Sequence, residues 1–594
     1  MGSPFWKSRS TLIACLTGLV ISLSFFLLFR KNTGWEWVVA IAILILGTAV
    51  SGLIINSFVV GYLNQQKTIK HKSQMFIWGF LCFLAGVWLV LNIPIPFPAQ
   101  EINPYLPSKV SKFVFFVSSG VGIGLLLFLA SLWLAGSLPR SNGAGGTIPK
   151  KGAFLKYSIP MALVWGIYLL AFFPGMMSAD SMDQWGQMLT GQYINHHPVF
   201  HTLLIWLLTR IYLSPVVVAI AQIIAMALVA GAWLGFFETL GINRWIIWIT
   251  AFVFAVIPVN GTMVNTLWKD IPYGIAVMGL TLILARIVFS RGEWAAARSA
   301  KISLGITLAF VALLRHDGLV LATGAVFFVV IMYPVKWRYW IFSTIIFAFL
   351  YFGIRGPLYN WLRVRQSTTL ADSFLSLFDL AAYSTPGSEA DEYLSSLHIY
   401  PPNWNCGVWS NLDPDWRSTS IDESQSIIQI TRNLINNIPL ILVYDYRCER
   451  SIEWIIWDPY GEVRNASHVE VLVDPNPYGI QHASLLPAFR DWIANWVIKT
   501  SHDPSVNWFL WRPALFLYFN LSITAILILR NRDLRFALIS IPILLQAITF
   551  TLLFALPNFR YYYATYLVAV ITIPLLFSPP SDYGITVTPR TSKQ

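Results

Sequence analysis

The stretch from residue 174 to residue 201, PGMMSADSMDQWGQMLTGQYINHHPVFH, concentrates side chains that could do acid-base chemistry. Its titratable side chains are Asp180, Asp183, His196, His197 and His201. No Lys or Arg lies between residues 157 and 209, so these groups are not part of a general charged surface. A carboxylate can take a proton from a hydroxyl, and histidine titrates near neutral pH, so the stretch is a candidate functional site.

The elements that must position this stretch are those of an α-helical polytopic membrane protein. Of the 594 residues, 56% are hydrophobic and 11% are charged, and the apolar residues come in long runs. A membrane-crossing helix needs about 20 predominantly apolar residues, because its backbone polar groups must be satisfied within the helix, and about 14 runs approach that requirement. We expect these transmembrane helices near residues 11–29, 37–60, 74–93, 112–137, 153–173, 214–236, 246–266, 271–289, 302–315, 318–334, 338–354, 509–529, 536–556 and 562–578.

The distribution of Lys and Arg predicts the orientation, because cations of short loops gather on the cytoplasmic side. Clusters occur at residues 67–72, 140–156, 286–301, 336–338, 530–535 and 590–593. All of them become cytoplasmic if the run at 198–213, which is too short to span, lies in the outer interface as an amphipathic helix. The chain is then a multi-pass protein of the cell membrane with both termini cytoplasmic and the 174–201 stretch outside.

The same orientation exports residues 355–508, which contain most of the chain's 28 acidic residues. The segments at 441–445 and 469–473 have strand patterns, whereas 421–437 and 484–498 have helical patterns. We therefore expect a small extracytoplasmic mixed α/β domain. Its two cysteines, Cys406 and Cys448, could form a disulfide bond in an oxidising compartment.

Four segments follow from this organisation. They are an N-terminal four-helix membrane region (1–152), a transmembrane core with an external loop at 174–213 (153–354), the extracytoplasmic domain (355–508), and three C-terminal transmembrane helices with a cytoplasmic tail (509–594).

Polar groups of three other segments are predicted to share the outer face with the 174–201 stretch. They belong to KDIPYG (Lys269, Asp270), RHDG (Arg315, His316, Asp317) and NFRYYY (Arg560, Tyr561). Charged groups at membrane depth are costly and usually face a cavity or a partner. Carboxylates beside cations at this boundary suit a reaction on a phosphate-bearing lipid, because cations can hold a departing phosphate.

The segments PGMMSADSMDQWGQMLTGQYINHHPVFHTLL, LWKDIPYG, LRHDG and NFRYYY, in this order, resemble the GT-C superfamily of membrane glycosyltransferases. They are most similar to a group of largely uncharacterised bacterial members. The resemblance covers roughly residues 155–355 and the last three helices. It implies a GT-C-like core and an enzyme that transfers a sugar from a polyprenyl-phosphate donor to an acceptor on the outer face, with inversion at the anomeric carbon.

The resemblance also implies a base in the external loop, and Asp180 in MSADS matches that position. Asp183 is the alternative, since both carboxylates would share one face if the loop is helical there. Either residue could instead be an N-cap of the helix that follows.

The other candidate contacts to substrate carry alternatives as well. They are His196, His197, His201, Lys269, Asp270, Arg315, His316, Arg560 and Tyr561. Lys269 and Asp270 could form a structural ion pair, and Arg560 could be an ordinary anchor at a helix end. Arg315 is the predicted contact to the donor phosphate. The sequence specifies no cofactor and leaves metal dependence open. A divalent metal ion held by Asp180, His197 and His201 is one alternative, since the two histidines are four residues apart.

Two other classes of function agree with the same features. A transporter or flippase of lipid-linked sugars would also need spans and intramembrane cations, and a polysaccharide polymerase or ligase would share the donor chemistry. The net charge of +12 is explained by the cytoplasmic loops, so nucleic acid is not an expected partner. The sugar, the acceptor and the oligomeric state do not follow from the residues.

Overall fold

The computed structural model describes residues 78–87, 109–137, 154–365, 467–553 and 558–579, and a few single residues besides. Helices make up most of these ranges, which contain no β-strand beyond three isolated bridges. The α-helices are α1 (Trp78–Val87), α2 (Lys109–Ser137), α3 (Leu155–Ala171), α4 (Ala179–Thr190), α5 (Val199–Thr209), α6 (Pro215–Thr239), α7 (Arg244–Val256), α8 (Pro258–Met263), α9 (Asp270–Phe289), α10 (Arg298–Leu314), α11 (Gly318–Met332), α12 (Trp337–Gly353), α13 (Tyr359–Trp361), α14 (Pro487–His502), α15 (Pro504–Leu510), α16 (Pro513–Asn531), α17 (Ile541–Leu553) and α18 (Tyr563–Thr572). A π-helical turn at Ile354–Leu358 joins α12 to α13, and 3-10 turns flank α18 at Phe559–Tyr562 and Ile573–Phe577.

Five helical stretches of the described residues are long and apolar enough to cross a membrane. They are Pro215–Thr239, Asp270–Phe289, Pro334–Trp361, Ser505–Asn531 and Phe559–Phe577. The chain therefore has the organisation of an α-helical membrane protein, as its composition predicts. The total of about 14 spans and the orientation stay predictions. The first two predicted spans, the patterns at 421–437 and 441–445, and the Cys406–Cys448 bond lie outside the described residues.

The chain divides into two compact units, the first formed by Met1–Pro139, Ile455–Pro459 and Ala525–Arg532. Within it, α1 and α2 pack through glycines. A Cβ atom on Gly86 would lie 2.3 Å from the Gly120 carbonyl oxygen, and one on Gly124 would lie 2.7 Å from that of Cys82. The backbones can approach this closely only because these positions lack side chains, as is typical of helix pairs in membranes.

The second unit contains all of the candidate site residues, and α9 lies near its centre. Its span is 78% buried within the protein, and it packs against α6, α10 and α18. In contrast, the span Pro334–Trp361 is only 17% buried, so most of its apolar surface is left for lipid. Helix α9, which begins at Asp270 of the KDIPYG segment, is therefore a core element rather than a peripheral one.

The predicted span at 246–266 is wrong as a continuous helix. Helix α7 ends before Pro258, because Ile257 adopts an extended conformation that the following proline favours, and α8 is short. The backbone after α8 is irregular, and the Gln222 side chain donates to the carbonyl oxygens of Val264 (2.9 Å) and Thr266 (3.0 Å). Such internal satisfaction is what irregular backbone at membrane depth requires.

Three further sequence predictions have outcomes in the described residues. The run at 198–213 contains the short helix α5, whose Leu207 face is exposed, although its position in the interface stays a prediction. The predicted helix at 484–498 is confirmed as α14. The predicted strand at 469–473 is wrong, because these residues form turns that end in an isolated bridge from Val473 to Met177.

Candidate functional site

The entrance to α4 is held on both sides by backbone hydrogen bonds. Met176 exchanges two bonds with the irregular segment after α8, from its N–H to Asn265 O (2.8 Å) and from Leu267 N–H to its carbonyl (2.9 Å). Met177 receives a bond from Asp474 N–H (2.9 Å) and donates to Leu472 O (2.8 Å). These bonds fix where α4 begins and therefore where its first carboxylate lies.

Asp180 lies in the first turn of α4, and the N-cap position belongs to Ser178. The structure therefore contradicts the alternative in which an Asp is the N-cap. The Ser178 hydroxyl accepts a hydrogen bond from Trp268 Nε1 at 2.7 Å. An anionic side chain in the first turn is favoured by the partial positive charge of a helix N-terminus, which suits an ionised Asp180.

The carboxylate of Asp180 faces two basic side chains. Its Oδ2 atom is 2.8 Å from Arg560 Nη1, and its Oδ1 atom is 3.7 Å from His197 Nε2. Burial alone would raise the pKa of Asp180, but the charges of Arg560 and Lys269 outweigh burial and hold this pKa well below its usual value. The Asp180 side chain is nevertheless 31% exposed, whereas those of Arg560 and His197 are 10% exposed. The carboxylate is thus the open member of the group.

His197 links Asp180 to Lys269. The Lys269 ammonium lies 3.0 Å from His197 Nδ1, and since an ammonium can only donate, Nδ1 must accept. The imidazole proton is then on Nε2, on the side of Asp180. Burial and the neighbouring Lys269 charge lower the pKa of His197 to about 2, so its ring is neutral at physiological pH.

Arg560 is held over two aromatic rings. Its guanidinium carbon lies 5.0 Å from the centre of the Trp268 ring and 4.9 Å from that of Tyr561, and its Nη2 donates to the Tyr561 hydroxyl at 3.0 Å. These contacts can stabilise the cation independently of Asp180. We call Asp180, His197, Lys269 and Arg560 the outer cluster.

A second group of charges, the inner cluster, consists of Arg315, Asp270 and Asp317. Arg315 Nε donates to Asp317 Oδ1 at 3.0 Å, and its Nη1 pairs with Asp270. The three side chains are 2%, 1% and 4% exposed in the order Arg315, Asp270, Asp317. The guanidinium also lies over the Tyr561 ring, at 5.0 Å, so Tyr561 stands between the two clusters. Arg315 and Asp270, both predicted contacts to substrate, are therefore enclosed in an ion-pair network.

His201, on α5, is hydrogen-bonded to α4. Its Nδ1 is 3.0 Å from Gln184 Oε1, and Gln184 Nε2 donates to Thr202 at 3.2 Å, so the two side chains of α5 join it to α4. Within the described ranges, no three His, Cys, Asp and Glu side chains are arranged to hold a metal ion. Asp180, His197 and His201 do not converge on a metal position in this structure, because His201 turns to Gln184 and His197 Nδ1 is engaged by Lys269.

The remaining predicted residues are at the surface of the site. Asp183 is exposed, and its Oδ2 accepts a hydrogen bond from Gln187 Nε2 at 2.8 Å along the same helix. His196 and His316 are exposed, and the rings of His196 and His197 are 4.6 Å apart. These side chains border the outer cluster, and the charge of Lys269 acts on both Asp183 and His316.

Residues 467–486 are a part of the site that the sequence did not predict. Besides the bonds to Met177, Ala483 N–H donates to Phe173 O and Leu485 N–H to Leu170 O, both at 2.9 Å. His468 lies 3.2 Å from Asp474 and places its ring 6.1 Å from that of Trp268. Most of these contacts are made by backbone atoms, so no residue pattern could have revealed them.

The described fold and site are those of an α-helical membrane protein with a cluster of charges where several helices begin. Arg560 opens the span Phe559–Phe577, Lys269 precedes α9, and Asp180 opens α4. No protein-family model, curated protein or solved structure matches the chain.

Proposed function

We propose that the chain is a membrane glycosyltransferase that moves a sugar from a polyprenyl-phosphate donor to a hydroxyl of a lipid, glycan or protein. The observation that carries the proposal is the open carboxylate of Asp180 beside two cations, Arg560 and Lys269. A lipid-linked donor suits this place, because its tail can lie among apolar helices while its phosphate meets the cations.

In the proposed reaction, Asp180 takes the proton of the acceptor hydroxyl as the hydroxyl oxygen bonds to the anomeric carbon of the sugar. The bond between that carbon and the phosphate oxygen breaks, and polyprenyl phosphate leaves with the electron pair. Attack opposite to the phosphate inverts the anomeric carbon. Arg560 and Lys269 stabilise the charge that develops on the phosphate. The His197 Nε2–H faces the carboxylate of Asp180 from 3.7 Å.

This assignment moves the phosphate contact from Arg315, where the sequence predicted it, to the outer cluster. Arg315 already faces two carboxylates and is 2% exposed, so an anion there would have to displace a buried partner. Lys269 has no such partner within the described residues, since its ammonium contacts the neutral imidazole of His197. The outer cluster is therefore the better site for a phosphate.

We further propose that the site opens on the outer face of the cell membrane, with both termini in the cytoplasm. The support for this orientation is the distribution of Lys and Arg among the short loops. A lipid-linked donor is consistent with an external site, because the tail keeps the donor in the membrane where the cluster lies.

The test is the replacement of Asp180 by Asn in purified protein reconstituted in lipid vesicles. Release of polyprenyl phosphate from a panel of polyprenyl-phosphate hexoses and pentoses, with envelope extract as the acceptor source, measures transfer whatever the acceptor is. We expect the Asp180→Asn rate to fall by about 10² to 10⁴, the usual contribution of a general base. The matched control is Asp183→Asn, which removes an exposed carboxylate of the same helix and should leave the rate within about threefold.

The opposite pattern, with Asp183→Asn inactive and Asp180→Asn active, would move the base to Asp183. If the wild type releases no polyprenyl phosphate from any donor of the panel, the chain is not a transferase of this class.

A further inference from the structure

Arg560 is positioned to contact a phosphate, yet in this structure it is committed to the proposed base. Its Nη1 atom is 2.8 Å from Asp180 Oδ2, which is one of the two oxygens that could accept a proton. A carboxylate that is paired with a guanidinium is a weak base, because protonation would cost the charge-assisted bond. The observed arrangement is therefore one in which Asp180 is not ready to react.

The charges of the outer cluster are unbalanced in a way that favours an added anion. Arg560 and Lys269 contribute two positive charges, Asp180 contributes one negative charge, and His197 is neutral. A phosphodiester carries one negative charge and would balance the cluster. The inner cluster has the opposite ratio, with one cation and two carboxylates, so it offers no competing place for an anion.

The contacts of Arg560 allow its side chain to change partner without leaving the site. Contacts to Trp268 and Tyr561 hold the guanidinium through its face and through Nη2, whereas the bond to Asp180 uses Nη1. The atom that would change partner, Nη1, is therefore not the one that bonds to Tyr561.

We propose that Arg560 is exchanged between Asp180 and the donor phosphate, so that donor binding itself releases the base. This inference rests on the proposed function and specifies that the donor binds before the acceptor hydroxyl is activated. The phosphate draws Arg560 away, Asp180 loses its ion pair, and its freed oxygen can then accept the proton of the acceptor hydroxyl. The acceptor is activated only when the donor is in place, which protects the site from reaction without a sugar to transfer.

The exchange predicts that Asp180 competes with phosphate for Arg560. Binding of a short-chain polyprenyl phosphate, which lacks the sugar and cannot react, should therefore be about tenfold tighter to Asp180→Asn than to the wild type. The control Asp183→Asn removes the same charge from the same helix without touching Arg560, and its affinity should stay within about twofold of the wild type. Asp180→Ala serves as a second variant should Asp180→Asn fail to fold, and it should also bind more tightly.

The outcomes of the binding measurement separate a failure of the exchange from a failure of the proposed function. Tighter binding by the Asp180 variants alone supports the exchange. Equal tightening by Asp183→Asn would show that net charge is responsible, and unchanged or weaker binding by the Asp180 variants would show that Arg560 is not shared; either result overturns the exchange while the transferase proposal stands. Absence of polyprenyl phosphate binding in the wild type overturns both.

Discussion

The inner and outer clusters each pair an arginine with aspartate, but they differ in charge ratio and exposure. In the inner cluster two carboxylates surround Arg315, and all three side chains are buried. In the outer cluster the single carboxylate of Asp180 pairs with Arg560, Lys269 contacts the neutral His197, and the Asp180 side chain is 31% exposed. Both clusters contact the ring of Tyr561 through a guanidinium. Buried ionisable groups at these helix ends can therefore be satisfied by one another, as Arg315, Asp270 and Asp317 are.

The inner cluster connects helix ends. Asp270 is the first residue of α9, and Arg315 and Asp317 form the turn between α10 and α11. The enclosed ion pairs therefore hold together the start of α9, the end of α10 and the start of α11. Tyr561 joins these helix ends to the outer cluster. A closed network of this kind is costly to disrupt by removal of one member.

The largest expected effect is that of Arg315→Leu on stability. Removal of the guanidinium leaves Asp270 and Asp317 buried beside each other, and breaking such a pair costs about 3 to 5 kcal/mol. Thermal unfolding of purified protein in detergent should show a large loss, and little folded protein should be recovered. Lys269→Met is the comparison from the outer cluster and should change the unfolding free energy by less than about 1 kcal/mol. Equal unfolding temperatures of the two variants would contradict the distinction between the clusters.

A smaller effect is expected on the pH dependence of stability, through His197 of the outer cluster. The folded-state pKa of His197 lies near 2, below that of an exposed histidine, so between these values the unfolded chain binds more protons and stability falls as pH falls. From pH 7 to pH 5 this residue should cost about 2 kcal/mol, given an unfolded pKa of about 6.5. His197→Gln should lose correspondingly less stability over this interval, as measured by unfolding at both pH values. An unchanged pH dependence would mean that His197 titrates in the folded protein as it does in the unfolded chain.

The smallest effect concerns the affinity for the lipid phosphate. Lys269→Met removes one of the two cations of the outer cluster, and binding of short-chain polyprenyl phosphate should weaken about tenfold, because a charge-assisted contact is lost. Lys269→Arg keeps the charge and should bind within about threefold of the wild type. If Lys269→Met binds as the wild type does, Arg560 alone holds the phosphate.

The residue pattern predicted most of the helices in the described ranges, because the hydropathy of a segment depends only on its own residues. Helices α6, α9 and α11 lie within a few residues of the predicted runs. The exception at 246–266 is local as well, since Pro258 divides an otherwise apolar run. The predicted strand at 469–473 failed because its residues bond to the segment that precedes α4 rather than to a neighbouring strand.

By itself, the sequence determined the membrane class of the protein and the short list of side chains that could do chemistry there. Only the tertiary structure decided how these side chains pair. Lys269 and Asp270 are neighbours in sequence, yet the first contacts His197 in the outer cluster and the second pairs with Arg315 in the inner one. The reason is that successive residues at a helix start point in different directions, so the packing of distant helices selects the partner of each. For the same reason Arg560, from the far end of the chain, meets Asp180 at the start of α4.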